Sequence, residues 1–406
     1  MKRQLRQWMI KRTKLVETGL HLVMRVFACL PVHPNRFLFE SFLGKQYSDN
    51  PRSIYEALKK DHPEYELIFS KDRHRVFDDP SVRTVNRMTI RWIYLLATSR
   101  VWVSNSRLPS WLFKRKGTIY LQTWHGTPLK KLALDMDDVQ MADTTTERYK
   151  RDFAREASKW DLLISPNAYS SRIFRRAFDF SGELLEIGYP RNDLFYETKR
   201  HPEIRERVYS RYNIDRTKKI ILYAPTWRDN EYVAKGSYSF KLPFSLEQFE
   251  KQFGTEYTLL IRMHYLVADQ VDTAGYPSVR NASDYPDISE LYIAADAMVT
   301  DYSSVMFDYA HLKRPMIFYT YDLEHYRDQL RGFYFDFEQE APGPLVLQQS
   351  RLFEEIDRLH EWSDRYGPAF DAFEKKFCQW DDGTASVQAY QRLLQPVSNQ
   401  HKGESS

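Results

Sequence analysis

Apolar and polar positions along this chain alternate in two rhythms. Short apolar runs rich in β-branched and aromatic residues, "RFLFES", "YELIFS", "VRTVN", "VWVSN", "TIYLQTW" and "WDLLISPN", read as strands. "SIYEALKK", "IRWIYLLATS" and "YSSRIFRRAF" carry the helical period and read as helices. Near-continuous apolar strands separated by helices predict a parallel sheet covered on both faces. After a polar, helical bridge over residues 201–219 the rhythm restarts. "KKIILYAPTW", "YTLLIRMH", "AMVTD" and "RPMIFYT" predict strands, with helices "ISELYIAA" and "SSVMFDYAHLK" between the last three. From Leu347 onward the pattern is helical. The expected fold is α/β, with two Rossmann-like domains facing a cleft. Ligands of such sheets sit beyond the carboxyl ends of the strands.

Length supports the division, because 406 residues exceed what one ordinary core serves. With 42% hydrophobic and 28% charged residues, a disordered chain is excluded. Aromatics at 15% favour large cores, flat ligand surfaces or membrane contact without choosing among them. Two cysteines, Cys29 and Cys378, with no CxxC, argue against a disulfide framework and a cysteine zinc site, and make a reducing compartment the expectation.

Charge changes the picture at one end only. Residues 1–30 hold seven basic residues and one acidic, a net +6; the whole chain is +4, so the remainder carries −2. A broad nucleic-acid surface is therefore not expected. His21 and Arg25 interrupt the apolar run from Leu20 to Leu30, which speaks against a signal peptide, and the run is too short to span a bilayer. Leu5, Trp8, Met9, Leu15, Val16, Leu20, Val23 and Phe27 recur at roughly helical spacing. Two readings stay open: a basic amphipathic helix lying on an anionic leaflet with Trp8, Leu15, Leu20 and Phe27 inserted, or an ordinary helix docked on the protein.

The candidate chemistry gathers at strand ends. In "LQTWHGTPLKKL", His125 is the residue able to exchange a proton near neutral pH. Gly126, Thr127, Lys130 and Lys131 follow as a close-approach turn with cations, though Gly126 and Pro128 also suit a plain turn. Thr226, Trp227 and Arg228 follow "IILYAP". Arg262 and His264 end "LLIRMH", both on one side of the sheet, where together they would neutralise a pyrophosphate. Thr300 and Asp301 close "AMVTD", and Ser303 and Ser304 open the next helix. Those serines read either as a simple N-cap or as an anion site, with Asp308 farther along placed to accept from ribose hydroxyls. No GxxxxGK[ST] loop is present, which disfavours a P-loop kinase. No DxD pair lies in a strand-end loop; "DMDD" at Asp135–Asp138 is outside such a context. No HxH or HExxH spacing supports metal ligation by His125 and His264. A metal-independent transferase acting on a nucleotide diphosphate is the expectation, with no cofactor.

"QTWHGTPLKKL", "YAPTWR", "RMH" and "TDYSSVMFDYA" resemble, in order, the signature segments of the CDP-glycerol glycerophosphotransferase family, enzymes that prime and polymerise wall teichoic acid. The resemblance spans Phe37 to Phe335. It implies a glycosyltransferase-B architecture, a CDP-glycerol donor, a lipid-linked saccharide or polyol-phosphate acceptor, and peripheral attachment to the cytoplasmic face of the cell membrane. It implies two essential histidines, His125 and His264, and donor contacts at "TDYSS" and Asp308. The expected division is a membrane-associating segment over 1–34, an acceptor domain over 35–200, a donor domain over 201–345, and C-terminal helices with a polar tail over 346–406. CDP-ribitol or capsular-polymer transfer, and nucleotide-sugar hexosyl transfer on the same architecture, are the alternatives.

Overall fold

The computed structural model describes residues 16–139, 144–226, 232–234, 237–238, 242–263, 271–325 and 332–395. The chain forms two compact units. The first comprises residues up to His125, Ala133–Arg191 and the segment from Thr384; the second comprises Gly126–Leu132 and Asn192–Gly383.

The first unit is built on a seven-stranded sheet, β1 (His33–Glu40), β2 (Glu66–Lys71), β3 (Thr84–Asn86), β4 (Ser99–Ser104), β5 (Ile119–Gln122), β6 (Leu162–Ser165) and β7 (Glu183–Glu186), in the order β3-β2-β1-β4-β5-β6-β7. Every pairing is parallel. β5 and β6 are buried along their whole length, as their unbroken apolar runs require. Side-chain caps start the helices where the sequence changes rhythm: Thr89 accepts from Trp92 N before Ile90–Thr98, and Asn167 from Ser170 N before Ala168–Ala177. The helix Asp49–Asp61 buries Ile54, Tyr55 and Leu58 in the core formed with Phe37, Phe39 and Phe69.

The second unit holds a six-stranded parallel sheet, β8 (Lys219–Tyr223), β11 (Tyr257–Ile261), β12 (Val279–Asn281), β13 (Ala297–Thr300), β14 (Met316–Tyr319) and β15 (Leu345–Val346), in the order β12-β11-β8-β13-β14-β15. Its pairings are also parallel. A small antiparallel pair, β9 (Tyr232–Ala234) and β10 (Ser237–Tyr238), stands apart from it.

The sequential division into 35–200, 201–345 and 346–406 differs from these units in three places, the first being that residues 192–200 already belong to the second unit. Helices Gln349–Asp357 and Trp362–Phe377 belong to the second unit, whereas Ala385–Leu394 returns to the first. The reason is apolar: Ala389, Tyr390 and Leu393 complete the first core, and Tyr390 Oη donates to Asp61 Oδ2 at 2.6 Å. Gly126–Leu132, within the expected acceptor domain, joins the second unit. Lys131 N donates to Gly332 O and Tyr334 N to Leu129 O, both at 2.9 Å, around a Lys130–Phe333 bridge.

Residues 16–27 are helical. One face docks on the first unit: Met24 is fully buried, His21 Nδ1 lies 2.7 Å from Trp111 O, and Phe27 meets Tyr94 edge-on at 5.5 Å. Phe27 thus takes part in docking, as the second of the two readings expects, and Leu20 is half-buried. The outward apolar side chains are Val16, Leu22 and Val26, at 54%, 61% and 63% exposure. Trp8 and Leu15 lie outside the described residues. Among the described residues, no helix is long and apolar enough to cross a membrane.

Candidate active site

In the first unit the carboxyl edge of the sheet converges on His125. β5 ends at Gln122, whose buried Oε1 accepts from Trp124 N at 2.9 Å. That bond turns Trp124 into the left-handed region, φ 53°. The indole then stacks on the imidazole at 4.6 Å, and the Phe42 ring meets it edge-on at 6.0 Å. The ring's Nδ1 lies 2.8 Å from the main-chain oxygen of Asn105, just beyond β4. A carbonyl only accepts, so Nδ1 carries the proton and Nε2 of the neutral ring is a bare acceptor. His125 as a residue is exposed. The packing of its surroundings nevertheless draws its pKa below the ordinary 6.5: desolvation lowers it most, and Arg191 also lowers it, against the Asn105 bond and Asp49, which raise it.

A buried polar cluster backs this edge. Asn50 Nδ2 donates to Trp124 O at 3.2 Å, and its Oδ1 accepts from Arg191 N at 3.1 Å. Asp49 Oδ2 accepts from Arg191 Nη1 at 3.1 Å, while the Arg191 guanidinium lies over Tyr189 at 4.4 Å. Asp49, Asn50, Asn105 and Arg191 escaped the sequence reading. "YSDNP" carries only a helix-start signal, and "VSN" and "YPRND" look like ordinary ends of elements.

In the second unit the same edge carries the "TDYSS" segment. Thr300 and Asp301 are essentially inaccessible. Thr300 Oγ1 donates to Ala224 O and Asp301 Oδ1 accepts from Thr226 N, both at 2.7 Å, so these residues lock the ends of β8 and β13 together. Ser303 and Ser304 are half-buried, and Ser304 makes no side-chain cap to the helix Val305–Tyr309. Of the two serines that the plain N-cap reading offered, Ser304 therefore does not supply the cap. Asp308 is buried on that helix. Arg262 turns Nη1 onto the carbonyls of Ala282, Ser283 and Tyr285 at 3.0, 2.8 and 2.6 Å, and burial pulls its pKa down. His264, Trp227 and Arg228 lie outside the described residues. Among the described residues no group of three His, Cys, Asp or Glu side chains is placed to hold a metal ion.

The loop after His125 meets the "TDYSS" turn directly. A Cβ on Gly126 would fall 2.9 Å from Ser304 Oγ and 3.3 Å from Ser304 Cβ. Only glycine permits this approach without displacing the serine. Thr127 and Leu129 are buried beside it, and Lys130 and Lys131 are half-buried. Gly126→Ala is expected to destabilise the fold by ~1–3 kcal/mol through overpacking against Ser304. Denaturant unfolding of the variant checks this, and unchanged stability would show that Ser304 yields freely.

A family model described as CDP-Glycerol:Poly(glycerophosphate) glycerophosphotransferase matches residues 22–395. The chain is 48% identical over 378 residues to the teichoic acid poly(glycerol phosphate) polymerase of Bacillus subtilis (strain 168), covering 92% of this chain and 50% of that one. It therefore spans about half the length of that relative. It is 44% identical over 394 residues to the teichoic acid glycerol-phosphate transferase of Staphylococcus aureus (strain NCTC 8325 / PS 47), covering 96% and 100% of the two chains. The solved wall teichoic acid polymerase TagF, in a variant form, superposes with a TM-score of 0.88 at 40% identity, covering 99% of this chain and all of that one. From the strand-end motifs, the matching fold and this alignment over almost the whole length, the chain belongs to the CDP-glycerol:poly(glycerophosphate) glycerophosphotransferase family.

Proposed function

We propose that this chain transfers glycerol phosphate from CDP-glycerol to a hydroxyl of a membrane lipid-linked acceptor in teichoic acid synthesis, releasing CMP. The observation that carries this reading is the seating of Gly126 on Ser304, which holds the residue next to the candidate base against the candidate phosphate-binding serines. The acceptor oxygen attacks the β-phosphorus of the donor and loses its proton to Nε2 of His125. The bond from that phosphorus to the bridging oxygen breaks, and CMP departs with the electron pair. Ser303 and Ser304 donate to the phosphates, while Thr226, Thr300 and Asp301 hold the turn that presents them. Arg262 and His264, with Arg228 and Lys130, offset the charge that develops on the leaving group. Asp308 accepts from the ribose. The test is CMP release from radiolabelled CDP-glycerol with a lipid-linked acceptor, run beside UDP-sugars. Turnover of a UDP-sugar instead would move the chain to hexosyl transfer.

Attachment to the cytoplasmic face of the membrane is part of the same proposal. Residues 1–15 hold six of the seven basic residues of the N-terminal segment. Val16, Leu22 and Val26 offer an apolar strip on the helix that follows. Each cation near an anionic surface is worth ~1 kcal/mol, screened by salt. Removing residues 1–15 is expected to release the protein from phosphatidylserine-containing vesicles. Turnover of a soluble short-lipid acceptor should persist, because the docked face with Met24 is kept. Sedimentation at low and high salt checks this, and equal pelleting of the truncated form would place the membrane surface elsewhere.

A further inference from the structure

The turn that follows β1 is strained. Phe42, Leu43 and Gly44 stand in succession at φ 45°, 59° and 79°. Gly44 suits that region, and a Cβ there would lie 2.6 Å from Asp72 N. Phe42 and Leu43 have no such freedom, so neighbouring structure must hold them. Asn105 does this. Its Oδ1 accepts from Phe42 N at 2.8 Å, while its main-chain oxygen accepts from His125 Nδ1 at 2.8 Å. One fully buried residue therefore binds both the imidazole and the turn whose phenyl ring walls that imidazole. The amide orientation is dictated by the Phe42 N–H, which requires an oxygen opposite it. The consequence is that Asn105 Nδ2 is buried without a partner among the described residues. Orphaned donors of this kind are rare in packed interiors. An aspartate would keep the bond to Phe42, its second oxygen taking the place of the orphaned amide nitrogen.

We infer that Asn105 is a positioning residue for the transfer reaction: its side chain clamps the Phe42–Leu43 turn, and through that anchor its carbonyl keeps the His125 proton on Nδ1 and Nε2 turned toward the acceptor hydroxyl. The inference rests on the reading of His125 as the base. It adds a residue that touches neither donor nor acceptor and acts through the imidazole alone.

Two measurements test it on the full chain. The first is ¹⁵N NMR of histidine-labelled protein, with His125→Gln identifying the resonance. The Nδ1–H tautomer is expected, and an Nε2–H tautomer overturns the proposal. The second compares Asn105→Ala with Asn105→Asp over a range of pH. Asn105→Ala is expected to lower kcat ~10–100-fold with KM for CDP-glycerol nearly unchanged, as misplacement of a reacting group does. Asn105→Asp should recover most of that loss above neutral pH, with the acid limb of its profile moved upward by the added carboxylate. Equal losses in both variants with an unmoved limb would reduce Asn105 to a structural part and overturn the proposal. Should Asn105→Ala fail to fold, the tautomer and the aspartate variant still decide. Near-normal turnover of His125→Gln would instead reject the base assignment, an outcome separate from the tautomer result.

Discussion

Replacing His125 with alanine is expected to lower turnover by ~10²–10⁴, the usual contribution of a positioned general base. CMP affinity should change little, because the proposed donor contacts come from other residues. The Asn105 carbonyl leaves Nε2 as the free acceptor of the neutral ring. The pKa is drawn below 6.5 chiefly by desolvation, so the neutral form predominates at neutral pH. The sign of the pH dependence follows. Protonation of the base abolishes its function, so the acid limb of kcat/KM, which reports the ligand-free enzyme, falls at a pH below 6.5, and the ratio is level above it until another group titrates. Initial rates of CMP release at limiting and at saturating CDP-glycerol, measured across pH for wild type and variant, check both parts. Activity within a few-fold of wild type would remove His125 from the mechanism. A wild-type limb above 6.5 would assign the profile to a different group.

Asp308→Ala is expected to weaken CMP binding by ~1.5–3 kcal/mol, or ~10–150-fold, the range for a hydrogen bond to a charged group. Asp308 is buried at 8% exposure, four residues beyond Ser304 on the helix Val305–Tyr309. A carboxylate so placed requires hydrogen-bonding partners. The competing explanations are a ribose hydroxyl of the donor and a neighbouring protein group. Calorimetric titration with CMP and with its 2′,3′-dideoxy analogue separates them. Wild type should discriminate between the two ligands, and the folded variant should not. Undiminished discrimination in Asp308→Ala would return the residue to a purely structural role.

Local patterning carried much of the architecture. The runs read as β1, β2, β3, β4, β5, β6, β8, β11, β13 and β14 are strands, because a buried parallel strand needs a continuous apolar stretch that few other elements share. The strands of the two parallel sheets absent from that reading are short or polar at the sheet margins: "ELLE" at β7, "VRN" at β12 and Leu345–Val346 at β15. Their apolar content is too small to mark them, and the neighbouring strand dictates their conformation. The helix Thr146–Ala157, rich in charged residues, was likewise unmarked.

At the site, sequence alone picked out His125, the Gly126 turn and the serines of "TDYSS", because unusual residues at strand ends are visible one segment at a time. It left the serines suspended between a cap and an anion site, and only the structure shows that Ser304 makes no cap. The return of Ala385–Leu394 to the first core and the bridge from Lys130 to Phe333 pair segments some two hundred residues apart or more. The same is true in smaller measure of Asn105, Asp49 and Arg191 around His125. Periodicity and spacing report what a segment does with its own neighbours in sequence. Which distant backbone carbonyl meets an imidazole, or which serine needs a glycine opposite it, is decided by the closing of the sheets, and so belongs to the tertiary structure alone.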